Sequence, residues 1–202
     1  MSRLARLAAA GAMAAALAGC MSFGQQAPQR YYVLDAPGES TAARSAPRPS
    51  TLLVAPATAS SFYEAQDIVY SRAPGVRAYY QYQSWTERPS RRITELVVTR
   101  LERAGQFKTV APVLSGVRGD LVLSLHLAEL YHDAAEAPGR VRVVLAAELL
   151  DPARRTLLAR RTFEQSAPAA TYDAPGAVRA FNHALAAMLD DIAAWLDGAA
   201  PR

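Results

Sequence analysis

The chain has 202 residues, and its 22 basic and 18 acidic side chains leave a formal net charge of +4. This near balance, with no long basic cluster, gives no support to nucleic-acid binding. A single cysteine excludes an intramolecular disulfide framework, so apolar burial must stabilise a chain that is long enough for one sizeable core.

The N-terminal segment has the three parts of a secretory signal peptide. Arg3 and Arg6 give a positive start, an apolar run follows over residues 7–18, and small residues precede Cys20. The tetrapeptide Leu-Ala-Gly-Cys that ends at Cys20 resembles the lipobox of bacterial lipoproteins. In that family the thiol is lipidated, the peptide is cut just before the cysteine, and the new amine is acylated. We therefore expect residues 1–19 to be a signal peptide and Cys20 to carry acyl chains such as palmitate.

Two other interpretations of this segment are an ordinary secretory peptide and a transmembrane helix. The apolar run is shorter than the ~20 residues that a bilayer core requires. An ordinary signal peptide would leave an unpaired thiol in an oxidising compartment. The residue after Cys20 is Met21 rather than Asp. By resemblance to enterobacterial sorting rules, this favours attachment to the outer membrane, facing the periplasm.

In the first half of the mature chain, short apolar runs alternate with turn-forming residues. Residues 20–30 are polar and predict an extended tether, and residues 36–50 predict a loop. Pro56 ends a strand that should be buried on both faces, and Ala73-Pro74-Gly75 should turn a hairpin. The predicted strands are residues 31–35, 51–55, 67–71 and 77–82.

The first clear helix follows Pro89, which suits a first helical turn, and ends at Gly105, which suits a left-handed cap. One stripe at helical spacing should face the core. Its members are Ile93, Leu96, Val97, Arg100, Leu101 and Ala104. Residues 106–110 then predict a short edge strand, and this edge and that of residues 31–34 are candidates to accept a partner strand.

Three runs of alternating polarity predict an antiparallel meander over residues 120–131, 141–149 and 156–165. In the first run, four leucines share one face, and His126 lies on the other. His132 is six residues further on, so strict alternation would place both histidines on one face. Two histidines without further ligands are a weak metal site, and we favour surface or hydrogen-bonded histidines.

The last predicted helix begins after Asp173, a candidate N-cap, and should end at Gly198. Its apolar stripe contains Val178, Phe181, Leu185, Met188, Ile192 and Trp195. The polar residues assigned to its solvated side are Arg179, His183, Asp190 and Asp197. Together the elements predict an α/β (α+β) fold. A single two-layer domain over residues 31–198 should pair a mixed, mostly antiparallel sheet with two helices on one face, followed by a tail at 199–202.

The ordered set of elements resembles the ABC-type transport auxiliary lipoprotein family. Its members accompany mammalian-cell-entry (MCE) domain transporters and paraquat-inducible-type intermembrane systems. Arg88 departs from the family pattern, which has a small or apolar residue there. The residues on which this resemblance rests are Cys20, Glu87, Pro89 and the blocks 31–34, 53–56, 68–70, 80–85, 105–110 and 121–130.

The resemblance implies an accessory role in lipid traffic between the inner and outer membranes. The lipoprotein would dock an MCE-domain periplasmic subunit at the outer membrane, and assembly of several copies into a homo-oligomer is consistent with this role. It implies no cofactor. Two other functions remain open, which are a structural or assembly lipoprotein of the envelope and a periplasmic lipid-binding carrier with a cavity between helices and sheet.

The densest aromatic stretch supplies the candidate partner contacts, Tyr79, Tyr80 and Tyr82, because large amphipathic rings are common in interfaces. Alternation should point Tyr79 away from the other two tyrosines. Trp85 directly precedes a helix, so we assign it to the core. The chain has no Gly-x-Ser-x-Gly, no phosphate-binding glycine loop and no clear carboxylate pair, so we expect no enzymatic activity.

Overall fold

The structure is a computed structural model that describes residues 27–38 and 47–201. The expected signal peptide, Cys20 and most of the expected tether lie outside the described residues. Nine strands and two α-helices follow one another in the described part of the chain. The strands are β1 (Arg30–Tyr32), β2 (Arg48–Val54), β3 (Thr58–Ala59), β4 (Asp67–Ser71), β5 (Ala78–Trp85), β6 (Phe107–Pro112), β7 (Leu121–Asp133), β8 (Arg140–Asp151) and β9 (Thr156–Pro168). The helices are α1 (Pro89–Ala104) and α2 (Ala174–Ala199).

Strand β7 is the spine of the sheet because it is long enough to pair along both edges. Strand β8 runs antiparallel along one edge, and β9 continues the antiparallel meander that the sequence predicts. Along the other edge β7 meets β2, β3 and β4 in succession, each of them parallel to it. Strand β6 extends the sheet beyond β2, whereas β5 and then β1 extend it beyond β4. The predicted single domain with a mixed sheet is therefore confirmed.

Helix α1 has the boundaries that its punctuating residues predict. Pro89 occupies the first turn, and Gly105 closes the helix in the left-handed region with a φ of 61°. All six residues of the predicted stripe are buried, including Arg100. The hydrophobic pattern and the two terminal residues are therefore sufficient to define this helix.

Helix α2 is capped as predicted but is longer at its C-terminus. The Asp173 carboxylate accepts a hydrogen bond from the Gly176 backbone N–H at 2.9 Å. The helix continues through Gly198 and ends only at Ala199, so our prediction that Gly198 ends it is wrong. Pro201 disfavours a helical conformation at the residue before it, which explains the later end.

The core lies between the helices and the inner face of the sheet, meaning the face that the helices cover. Trp85 is 1% exposed and packs edge-on against Phe181 of α2, with ring centroids 5.6 Å apart, so its assignment to the core is confirmed. Strand β2 is buried on both faces as predicted. Its apolar residues Leu52, Leu53 and Val54 are all buried. We call the opposite side of the sheet the outer face.

Several strand boundaries differ from the predictions; β5 and β9, for example, continue to Trp85 and Pro168. Strand β1 ends at Tyr32 because the chain then turns toward the helices. There the Leu34 carbonyl accepts a hydrogen bond from Arg92, and the Asp35 N–H donates one to Asn182. Strand β2 begins at Arg48, within the stretch predicted as a loop. Local composition marks the apolar centre of each strand better than its ends.

A β-bulge in β7 reverses the facing of its last residues. The pairing with β8 shifts register between Leu127 and Glu129, so that one extra residue interrupts the alternation. His126 stays on the outer face and is exposed, whereas His132 is fully buried on the inner face of the sheet. The expectation that both histidines share one face is therefore wrong.

Helix α2 is not solvated along the whole of its polar side. Asp190 forms an ion pair with the buried Arg100 of α1, and Asp197 forms one with the buried Arg48 of β2 at 3.0 Å. These two aspartate side chains remain 42% and 41% exposed, so the predicted solvated side is confirmed only in part: each carboxylate is open to water but also pairs with a buried arginine. His183 is exposed as predicted.

Candidate functional site

The β4–β5 hairpin presents an aromatic surface on the outer face of the sheet. Tyr79 of β5 is 40% exposed and stacks on Phe62, with ring centroids 4.5 Å apart and planes within 8°. Its hydroxyl donates a hydrogen bond to the Phe62 carbonyl at 3.2 Å. Phe62 also meets Tyr63 edge-on, and all of these residues lie on or beside the 3-10 turn Ser61–Tyr63. The rings are therefore held in place before any partner binds.

A cation is fixed beside these rings. The Arg77 guanidinium lies 3.7 Å from the centre of the Tyr131 ring, and its Nε donates to the Tyr63 hydroxyl at 3.2 Å. Burial alone would lower the pKa of Arg77, but the hydrogen bond with Tyr63 and the nearby charge of Glu129 raise it above its ordinary value. We call Phe62, Tyr63, Arg77, Tyr79 and Tyr131 the outer aromatic patch.

Tyr80 points the other way and belongs to the interior. Its hydroxyl lies 2.7 Å from Nδ1 of His132, whose Nε2 lies 2.9 Å from the Pro138 carbonyl. A carbonyl only accepts hydrogen bonds, so Nε2 carries the proton and Nδ1 accepts from Tyr80. Burial raises the pKa of Tyr80 to about 12 and lowers the pKa of His132. Both groups are therefore neutral near pH 7, and Tyr80 fixes the orientation of the imidazole ring.

Tyr82 interrupts the expected alternation of the strand. Its φ is 59°, in the left-handed region that non-glycine residues rarely adopt, and the pairing of β4 with β5 shifts register between Asp67 and Val69. The side chain is half-buried. Of the three candidate tyrosines, Tyr79 alone is exposed.

A groove of about 800 Å³ runs along the solvent side of α1. Its apolar lining includes Pro56, Ala57, Val98 and Pro112. Charged residues of α1 and its approach stand at the rim, where Arg91 lies 3.5 Å from both Glu87 and Glu95. Composition did not reveal this groove, because it forms where the loop after β2 passes the helix.

The described part of the chain shows no constellation of metal ligands. His126 lies 2.9 Å from the Thr58 hydroxyl, on the outer face, and His132 lies on the inner face. Within residues 27–38 and 47–201, no three His, Cys, Asp or Glu side chains gather closely enough to hold a metal ion. In the same ranges, no helix combines the length and apolar character that crossing a bilayer requires.

Comparison with known proteins gives the chain a family and a fold. Residues 32–193 match the model of the ABC-type transport auxiliary lipoprotein component family. The crystal structure of protein XCC0632 from Xanthomonas campestris is similar at 23% identity, with a TM-score of 0.74 over 82% of this chain and 94% of that chain. The hypothetical protein CT253 from Chlamydia trachomatis is similar at 8% identity, with a TM-score of 0.50 over 75% of this chain and 98% of that one.

At these identities the solved structures show a shared fold. No curated protein matches the sequence. The family match spans most of the chain, including α1, every strand from β2 to β9 and α2 as far as Ala193, and it agrees with the resemblance seen in the sequence. The chain therefore belongs to the ABC-type transport auxiliary lipoprotein family.

Proposed function

We propose that the protein is a lipid-anchored accessory component of an ABC/MCE-type intermembrane lipid transport system. In this role it docks the MCE-domain periplasmic subunit at the periplasmic face of the outer membrane. Family membership supports a transporter as the partner, and the resemblance of the sequence supports the MCE subunit and the outer membrane. The family is one of transport auxiliary components rather than of enzymes, which supports a non-catalytic role.

The outer aromatic patch is the observation that carries the docking role. Stacked rings beside a fixed guanidinium offer large contact area with little rotamer entropy left to lose, as interface hot spots require. The patch lies on the face opposite the helices, so a partner can reach it without disturbing the core. Tyr79 is its most accessible candidate contact. Tyr80 and Tyr82 are not exposed, and we assign them a role in fixing the conformation of the hairpin rather than in contacting the partner.

Co-purification with the MCE subunit tests this surface. Tyr79→Ala together with Phe62→Ala should lower capture on the order of 30-fold, because truncating a hot spot costs about 2 kcal/mol of binding energy. The matched control is Tyr31→Ala, which removes an exposed tyrosine that lies outside the patch, on β1, where it pairs with Ser84 five positions along β5 from Tyr79. Undiminished capture by a folded double variant would remove the patch from the interface.

The anchor is tested separately. In the proposed mature protein, residues 1–19 are removed, Cys20 carries the acyl chains, and residues 20–30 are the tether. Each buried methylene contributes about 0.8 kcal/mol, so several chains on Cys20 should hold the protein in the membrane. Cys20→Ser should move it from the membrane fraction to the soluble periplasmic fraction. A serine variant that stays in the outer membrane would contradict lipid anchoring.

The groove beside α1 favours one second candidate, a lipid-binding carrier. Its volume and apolar floor suit an acyl chain, although the layer between helices and sheet is filled by buried side chains such as Leu123, Leu145 and Phe181. Native mass spectrometry of the chain from Met21 onward would separate the two functions, since a carrier retains lipid and a docking module does not. An envelope structural lipoprotein would show neither lipid nor MCE capture.

A further inference from the structure

Strand β9 is a long edge strand. Among the described residues it pairs with β8 along one side, which leaves the outward backbone groups of its other side available over 13 residues. The other two ends of the sheet are shorter, with three residues in β1 and six in β6. An open edge of this length is a template for an added strand.

We propose that β9 pairs antiparallel with β9 of a second copy of this chain, about a twofold axis at Thr162. The sheet then continues from one copy into the other. In this register Arg160 of each copy lies opposite Glu164 of the other, and the two Thr162 side chains face each other. The proposal is independent of the transporter role.

Charge selects this register over its neighbours. A twofold axis that pairs one edge strand with itself must pass between two copies of the same residue, so each residue choice gives one register. An axis at Arg161 would place two arginines together, and an axis at Glu164 would place two glutamates together. An axis at Phe163 would set Arg160 opposite Ser166. The axis at Thr162 sets opposite charges face to face twice.

The two charged residues are positioned for such a contact. On the outer face, Arg160 lies 2.5 Å from Glu148 of β8, and Glu164 pairs with Arg142. The Arg160 and Glu164 side chains remain 64% and 52% exposed, so each can meet a second partner. Pairing between copies would join the ion pairs of the two sheets into one row of alternating charge.

The inner side of the strand is compatible with the same register. Arg161 lies over the Phe163 ring at 5.0 Å in its own chain. With the axis at Thr162, Arg161 of one copy is opposite Phe163 of the other. Phe163 is 3% exposed and stays in its own core, so this register sets no like charge directly opposite Arg161.

Cysteine cross-linking of the full chain tests the register. Cα atoms of directly opposed residues lie about 4.5–5.5 Å apart, a separation that a disulfide spans. Thr162→Cys should therefore form a covalent dimer in membranes under mild oxidation. The matched control is Ser166→Cys, exposed on the same strand, whose two copies would lie about 27 Å apart in this register. The unchanged chain controls for Cys20.

Charge reversal then tests the contact itself. In the Thr162→Cys background, Arg160→Glu should slow cross-linking about tenfold or more, because two attractive pairs become repulsive. Adding Glu164→Arg restores opposite charges across the axis and should restore cross-linking. Glu148→Arg changes the partner of Arg160 within its own chain, but it leaves the contact between copies intact and should keep the rate within about twofold.

The proposal is overturned if Thr162→Cys cross-links no faster than Ser166→Cys. It is equally overturned if Arg160→Glu leaves the rate unchanged in a folded protein, or if the double reversal recovers nothing. Circular dichroism of each variant shows that a slow rate does not come from unfolding. A strand from a different protein on this edge would protect both cysteines from self-cross-linking and would therefore count against the second copy.

Discussion

The buried arginine of α1 makes a sharp prediction about stability. Arg100 is 3% exposed, its guanidinium pairs with Asp190 of α2, and it donates a second hydrogen bond to the Ala36 carbonyl at 3.0 Å. Asp190→Ala would leave this charge in the core without its carboxylate. Water cannot replace the lost partner fully, because the Arg100 side chain is enclosed.

The expected magnitude follows from the exposure of the two partners. Breaking a fully buried pair costs about 3–5 kcal/mol, and breaking a surface pair costs about 0–1 kcal/mol. The Asp190 side chain is 42% exposed, so solvent screens part of the interaction. We expect Asp190→Ala to lower the free energy of unfolding by about 2 kcal/mol.

Urea unfolding followed by tryptophan fluorescence measures this change. The matched control is Glu95→Ala, which removes an exposed partner of Arg91 and Arg92 on the same helix layer and should cost at most about 0.5 kcal/mol. Arg100→Met should lose less than Asp190→Ala, since it removes the charge along with its need for a partner. Equal losses for Asp190→Ala and Glu95→Ala would refute the reasoning.

Three further predictions concern a buried histidine, a helix cap and a buried tryptophan. Burial lowers the pKa of His132, so its contribution to the free energy of unfolding is complete above the unfolded pKa of ~6.5 and is lost as the pH falls toward the lower folded pKa. His132→Asn should therefore flatten the pH dependence of the thermal unfolding midpoint between about pH 7.5 and 5. Asp173→Ala should lower the free energy of unfolding by about 1 kcal/mol, because the α2 cap is lost, whereas Asp173→Asn should keep most of the stability that the cap provides. Urea unfolding midpoints measure both changes. Trp85→Ala should cost about 3–5 kcal/mol and Trp85→Phe much less, as judged by urea midpoints and near-UV circular dichroism.

Much of the fold follows from local sequence because its signals act within one element. The stripe of α1, with Pro89 and Gly105 at its ends, sets the helix boundaries without reference to the rest of the chain. Alternation over residues 121–127 and 141–149 similarly identifies the long strands and their buried faces. These predictions succeed because burial and backbone geometry favour the same conformation.

Apart from the end of α2, which Pro201 sets locally, the main failures have a different cause, which is contact between residues far apart in the sequence. Arg100 and Asp190 are 90 positions apart, so nothing near either residue predicts their pairing. The groove beside α1 and the open edge of β9 likewise depend on where whole elements lie. The sequence therefore predicted that the aromatic stretch of β5 contains a contact residue, but it did not predict which residues from other parts of the chain lie beside Tyr79.

The bulge in β7 links a local feature of one strand to contacts distant in the sequence, because it decides which tyrosine of the candidate stretch is exposed. By adding one residue between Leu127 and Glu129, it turns His132 toward the helices. Since β4 pairs with the end of β7 and β5 pairs with β4, the residue of β5 that can reach His132 is Tyr80. Alternation then directs Tyr79 to the outer face, where it stacks on Phe62. A chain without the bulge would point His132 outward, and Tyr80 would have no buried partner to hold the hairpin in this register.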